Sequence, residues 1–305
     1  MNEAKYIWMN GKLVPWREAT THVLSHTLHY GNGVIEGTKA YKTDDGYAIF
    51  RLNDHTKRLK ESAKMTLIDI PYSVEELNKA QIELLRQNEF EGDNVYIRPF
   101  AFLGYGVMGV YHVEAPVETV LSAWEWGAYL GEDGLKNGIK LKIASMTRPS
   151  NTSNMGKAKA TANYLNSQMA KFEAIDCGYD EALLLDDQGY VAEASGACFF
   201  MVKDGVLISP PNDNSLESIT QKMVIELATD MGYEVVRRKI TREELYVADE
   251  AFLTGTAAEI TPVRNIDARE IGGGSCGEIT EIIQRNYFDI VFGRNEKYKH
   301  YLTYI

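Results

Sequence analysis

Gly156-Lys157-Ala158-Lys159-Ala160-Thr161-Ala162-Asn163-Tyr164 is the stretch on which the reading of this chain turns. It sets two amines close to a phenol in a run of small residues. A lysine in such a run is ordinarily a solvated side chain, and any one of the chain's 18 tyrosines is ordinarily core. A second stretch, Gly189-Tyr190-Val191-Ala192-Glu193-Ala194-Ser195-Gly196, adds a carboxylate just after a strand-like run. By itself that glutamate reads as a surface acid at a strand end.

Together, amine, phenol and carboxylate are the groups needed to run pyridoxal phosphate. They supply a lysine for the Schiff base, a donor to the ring hydroxyl oxygen and an acid partner for the pyridine nitrogen. Further blocks follow in order: His29-Tyr30-Gly31 with Glu36-Gly37, His55 to Arg58-Leu59, Tyr96-Ile97-Arg98-Pro99, Trp126-Gly127-Ala128-Tyr129 and Thr254-Gly255-Thr256-Ala257-Ala258-Glu259. With these blocks the chain resembles the branched-chain amino acid aminotransferases, in the group that also holds D-amino acid aminotransferase and aminodeoxychorismate lyase (fold type IV). The resemblance spans nearly the whole chain.

Composition is ordinary for a globular protein. The 305 residues are 45% hydrophobic and 25% charged, enough for one large core or two modest ones. A formal charge of −11 argues against a nucleic-acid binder. No apolar run approaches a membrane span, and Met1-Asn2-Glu3-Ala4-Lys5 lacks the basic start of a signal peptide. Cys177, Cys198 and Cys276 have no metal spacing, so a reducing cytoplasm without disulfide or zinc is expected. His22, His26 and His29 invite a metal reading, but no acid or cysteine completes the set.

Pattern predicts hairpins at Asn10-Gly11 and Asp44-Asp45-Gly46, and helices capped by Asn53, Ser73 and Thr241. Others are predicted to start near Asn163, Thr220 and Glu278. Gly272-Gly273-Gly274 reads as a hairpin loop. Glycine and charge from Gly127 to Gly138 mark a boundary. The expectation is an α/β chain of the α+β type: a small domain over 1–128, a linker loop over 129–138 and a large cofactor-binding domain over 139–305. The resemblance implies the two-domain fold type IV architecture, with the cofactor in the cleft between domains.

It also implies the site. Lys159 is the Schiff-base lysine rather than Lys157, because the family's lysine stands five residues before its tyrosine. Glu193 holds the pyridine nitrogen and Tyr164 the ring hydroxyl. Arg58, Ile219, Thr220 and Thr256 hold the phosphate, and Leu216 packs on the ring. Thr256 and Ala257 take the substrate's α-carboxylate with Tyr96 nearby, and Arg98 takes glutamate's second carboxylate. Tyr30, Ile35, Val110, Trp126 and Tyr129 wall the side-chain pocket.

Three departures stand out. Ile35 replaces the family's usual Phe. Leu216-Glu217-Ser218-Ile219-Thr220-Gln221 replaces Leu-Pro-Gly-Ile-Thr-Arg, and Ala194 to Cys198 departs from Gly-x-Gly-Glu-Asn. The resemblance implies transamination between L-glutamate and leucine, isoleucine or valine in branched-chain amino acid biosynthesis. It also implies a homodimer or trimer of dimers. Shifted specificity for D-amino acids or (R)-amines, an aminodeoxychorismate lyase and a pyridoxal-phosphate-binding module without turnover remain as rivals.

Overall fold

The computed structural model describes residues 3–305, so Met1 and Asn2 of the N-terminal stretch lie outside the described residues. The chain forms two compact units. The first takes the chain up to Trp126, then Ala158–Asn163 and Ile290–Ile305; the second takes Gly127–Lys157 and Tyr164–Asp289.

The first unit opens with β1 (Tyr6–Met9) and β2 (Lys12–Pro15). Asn10 and Gly11 sit at positive φ, 49° and 91°, the turn that matches the twist of a two-residue hairpin. After α1 (His26–Tyr30) come β3 (Gly33–Ile35), β4 (Thr38–Thr43) and β5 (Gly46–Phe50). Then follow α2 (Leu52–Met65), α3 (Val74–Asn88), β6 (Asn94–Leu103) and β7 (Val117–Glu125).

Among the described residues the strands of this unit form one antiparallel sheet, with β3 pairing on β6. Leu59 of α2 and Leu84 of α3 pack against Ile97 and Leu121 of the sheet. Full burial of a leucine is worth roughly 1.5–3 kcal/mol. The Ser73–Glu76 capping box opens α3 as expected: Ser73 Oγ accepts from the Glu76 N–H at 3.2 Å, and Glu76 Oε2 accepts from the Ser73 N–H at 2.7 Å. Asn53 is not the cap of α2. Arg51 is, in the left-handed conformation, and its N–H is drawn to the Tyr301 carbonyl at 2.8 Å, so the helix starts ahead of Asn53.

In the second unit α4 (Glu132–Asn137) occupies the span expected to be a linker loop. It is followed by β8 (Ile139–Ile143), α5 (Tyr164–Asp176), β9 (Glu181–Leu185) and β10 (Val191–Ala194). Next are β11 (Cys198–Lys203), β12 (Val206–Ser209), α6 (Ile219–Asp230), β13 (Val235–Arg237) and α7 (Arg242–Leu245). The last are β14 (Glu250–Gly255), β15 (Glu259–Ile266), β16 (Arg269–Glu270) and α8 (Glu278–Val291). The sheet is mixed, in the order β10-β9-β8-β15-β14-β11-β12-β13, with β8 parallel to both neighbours.

The glycine run is not a hairpin loop. Asp267 and Ala268, at φ 47° and 63°, make the β15–β16 turn instead. Gly272 lies so close to Asp249 that a Cβ there would stand 2.1 Å from its carbonyl oxygen.

The chain returns to the first unit through β17 (Leu302–Tyr304), which covers the edge of β5. The linear division at 128 and 138 therefore differs from the compact units, because two later segments belong to the first. No helix among the described residues is long and apolar enough to cross a membrane.

Candidate active site

In the first unit the lysine segment is stitched beside β3. The Lys159 N–H donates to Ser62 Oγ at 3.0 Å, and its carbonyl accepts from the Ile35 N–H at 3.0 Å. Ala160 bridges to Val34, and Thr161 Oγ1 donates to the Gly31 carbonyl at 2.7 Å. Ala158 and Ala160 are buried on either side, which holds Lys159 half-buried. The small residues around it are thus what lets this segment lie flat against a strand. Lys157 is exposed, and within the second unit its Nζ lies 4.0 Å from Glu217. This difference separates two lysines that spacing alone leaves as rivals.

Arg58, on α2, is clamped by Glu36. Its Nε donates to Oε1 at 2.6 Å and Nη2 to Oε2 at 3.0 Å, while His55 Nδ1 stands 2.8 Å from Oε2. Glu36 and His55 are fully buried. Burial would raise the Glu36 pKa, but Arg58 and His55 outweigh it and hold the carboxyl far below the usual range. Burial pushes the His55 pKa down, against the pull of Glu36.

Tyr96 and Arg98 lie on the same strand, and Arg98 Nη2 donates to Tyr96 Oη at 3.0 Å. Arg98 Nε is buried with no partner among the described residues. A buried orphan donor on a guanidinium suits an incoming carboxylate. Trp126 meets Tyr96 edge-on at 4.9 Å. A Cβ on Gly37 would stand 2.0 Å from Tyr96 Oη, so glycine there lets the phenol reach Arg98. Ile35 is half-buried at the end of β3. Tyr30 Oη accepts from the Gly109 N–H at 3.0 Å, next to Val110, which is 88% exposed.

The second unit carries the buried carboxylate. A bulge between Val191 and Glu193 re-aims the end of β10. Arg148 Nε donates to Glu193 Oε1 at 2.6 Å, and its Nη2 contacts the same oxygen. Glu193 Oε2 has no partner among the described residues and is available to a protonated ring nitrogen. Nothing in the sequence signals Arg148, because it lies 45 residues from its partner.

Tyr164 is the first residue of α5. Ile219 and Thr220 are buried at the start of α6, where backbone N–H groups lack intrahelical partners and suit an anion. Leu216 is half-buried in the loop before it. Thr256 and Ala257 occupy the tight β14–β15 turn. Tyr129 lies under Lys171, 5.9 Å from its ring centroid. An unengaged oxygen on a buried glutamate and a buried helix start thus fit a phosphorylated pyridine.

The departures have structural replacements. Ser218 Oγ caps α6 by accepting from the Gln221 N–H at 3.1 Å. Gln221 Oε1 accepts from Asn212 at 2.9 Å and Arg237 at 3.2 Å, and Glu217 pairs with Lys222 at 2.9 Å. Ser195 Oγ donates to buried Glu181 at 2.6 Å, while Ala197 and Cys198 join the core.

A sequence model of the amino-transferase class IV family matches residues 33–266. The chain is 48% identical to a branched-chain-amino-acid aminotransferase of Pseudomonas aeruginosa, over 98% of this chain and 97% of that one. It is 41% identical to one of Escherichia coli K12, over 96% and 95%. Its fold is similar to that of the T.th. branched-chain amino acid aminotransferase with pyridoxamine 5′-phosphate, with TM-score 0.96 and 48% identity, covering 100% and 99% of the two chains. The same T.th. protein complexed with N-(5′-phosphopyridoxyl)-L-glutamate gives TM-score 0.94 and 46% identity, again covering 100% and 99%.

Proposed function

The chain belongs to the amino-transferase class IV family, and on that premise we propose the roles its residues play in a pyridoxal-phosphate-dependent transamination. The amino group passes between glutamate or 2-oxoglutarate and leucine, isoleucine or valine and their 2-oxo acids. When bound, pyridoxal phosphate supplies an electron sink for the pair left on the substrate's Cα after proton loss.

Lys159 Nζ anchors the cofactor and moves that proton. Glu193 Oε2 accepts from the ring nitrogen, and Tyr164 donates to the ring hydroxyl oxygen. Arg58, the N–H groups of Ile219 and Thr220, and the Thr256 hydroxyl hold the phosphate. Leu216 packs on the ring. The N–H groups of Thr256 and Ala257 bind the substrate's α-carboxylate, with Tyr96 beside it. Tyr30, Ile35, Val110, Trp126 and Tyr129 form the apolar wall for a branched side chain.

The observation that carries a dicarboxylate donor is the orphan Nε of Arg98. Arg98→Ala is expected to raise KM for glutamate far more than for leucine. Loss of a charge-assisted bond costs roughly 1.5–3 kcal/mol, about one to two orders of magnitude. Equal losses for both amino acids would make Arg98 a structural residue only.

We further propose a homodimer. The exposed apolar side chains Val23, Leu28, Tyr105, Val110, Tyr111 and Val113 give it a surface to bury. A trimer of dimers is the larger assembly, and a cytoplasmic setting suits cysteines not joined in disulfides at Cys177, Cys198 and Cys276.

The test of the reaction is an amino-donor screen with 2-oxoglutarate as acceptor. L-leucine, L-isoleucine and L-valine are expected to yield glutamate. A D-amino acid or an (R)-amine outpacing all three would overturn the reading.

A further inference from the structure

Arg148 is a part-buried, multiply anchored cation that the reaction described above leaves without a role. Its side chain is 13% exposed, and each arm of its guanidinium is engaged. Nε and Nη2 converge on Glu193 Oε1. Nη1 donates to Ser167 Oγ at 3.1 Å and to Asn166 Oδ1 at 3.4 Å. The backbone is held as well: the Arg148 N–H donates to the Leu185 carbonyl at 2.8 Å, and Asn166 Nδ2 donates to the Thr147 carbonyl at 3.0 Å.

Ser167 and Asn166 lie in the first turn of α5, the helix that begins with Tyr164. One planar cation therefore ties the strand end bearing Glu193 to the helix start bearing Tyr164, and all the groups involved lie in the second unit. A planar fork with five donors can do this, whereas a point charge cannot.

We propose that Arg148 is a positioning residue for the cofactor ring: it occupies Glu193 Oε1, leaves Oε2 to the ring nitrogen, and fixes that carboxylate relative to the start of α5. The inference rests on the assignment of Glu193 made above. Two features of the site require such a partner. Glu193 is 5% exposed, and a buried carboxylate needs a countercharge. It also follows a bulge, where the ladder no longer fixes side-chain direction. Without the guanidinium the carboxylate is free to rotate, and its two oxygens become equivalent toward the ring.

The test compares Glu193→Gln, Arg148→Met, Arg148→Lys and the double variant E193Q/R148M, all as holoenzymes. Two quantities are read: kcat with leucine, and the rate at which pyridoxamine 5′-phosphate leaves the enzyme on dilution. R148M is expected to lower kcat by about 10–100-fold, the loss usual when the partner orienting a functional group is removed. KM for leucine should change much less. Pyridoxamine 5′-phosphate should leave R148M as much faster as it leaves E193Q.

The double variant should be no worse than the poorer single variant within about threefold, because the two residues act as a unit. R148K should recover part of the kcat loss, since it restores charge but not the fork. If R148M does not fold, R148K and Ser167→Ala carry the same comparison with smaller losses. Losses that multiply in the double variant, or wild-type kcat and cofactor release in R148M or in this substitute pair, overturn the inference. Wild-type behaviour of E193Q overturns the assignment of Glu193 itself, which separates the two failures.

Discussion

Lys159→Ala is expected to abolish the near-visible absorbance of the holoenzyme and to lower transamination by about 10⁴-fold or more, the scale on which loss of a central catalytic group is felt. The substitution removes the amine proposed to anchor the cofactor and to move the Cα proton. It leaves the segment in place, since the bonds fixing it are backbone bonds to Ser62 and from Ile35. The loss is therefore chemical, and the thermal midpoint should move little. Lys157→Ala is the control. Its exposed side chain lies 4.0 Å from Glu217, a weak surface pair, so activity and absorbance should persist. An inactive Lys157→Ala beside an active Lys159→Ala would reverse the assignment.

The second large effect is expected at Glu36. Glu36→Ala strips Arg58 and His55 of their common buried partner. Breaking a buried pair from one side costs about 3–5 kcal/mol. The thermal midpoint of the variant should fall accordingly.

The acid dependence follows from the direction of each shift. Glu36 is held below its unfolded value, so on acidification the unfolded chain takes up the proton first. Its contribution is present above an ordinary glutamate pKa of about 4.3 and is lost as pH falls below it. His55 is also shifted down, by burial, so the folded protein stays neutral where the unfolded histidine gains a proton. Stability therefore already declines as pH drops through about 6.5. Thermal midpoints measured between pH 8 and pH 3.5 should fall in two stages in the wild type, and the lower stage should weaken in Glu36→Ala. A wild-type midpoint for Glu36→Ala at pH 7 would show that the Arg58 clamp is not a stabilising element.

Much of the local structure was legible because its causes are local. Asn10-Gly11 turns where two left-handed residues must, and Ser73 caps α3 with a glutamate three residues on. α5, α6 and α8 begin at Tyr164, Ile219 and Glu278, within a residue of expectation. What stayed hidden depends on distant partners. Asn53 loses the cap because the Tyr301 carbonyl draws in the backbone of Arg51. The linker span becomes α4, and Gln284 of α8 donates to the Leu135 carbonyl at its end at 2.8 Å. Gly272, at φ 56° in a turn closed by the Gly274 N–H on the Ile271 carbonyl, also has Asp249 pressed against it, and no hairpin is involved. For the site, the resemblance supplied the residues expected to touch the cofactor, but not those that hold them. Glu36 stands in a matching block, but its clamp on Arg58 shows only after folding, and Ser62 and Arg148 carry no motif of their own.

The way the first unit is assembled from three separated stretches has a consequence for biosynthesis. When Trp126 leaves the ribosome, β5 still has an open edge, because β17 lies at residues 302–304. The flank of β3 is likewise vacant until Ala158–Asn163 has been made. An unpaired edge is a template for association with other chains, and closing such long loops is slow. The nascent protein therefore carries an adhesive rim through most of its translation. Lys159 is seated only by a long-range closure on β3, so an arrested chain ending before that segment lacks the amine proposed to hold the cofactor.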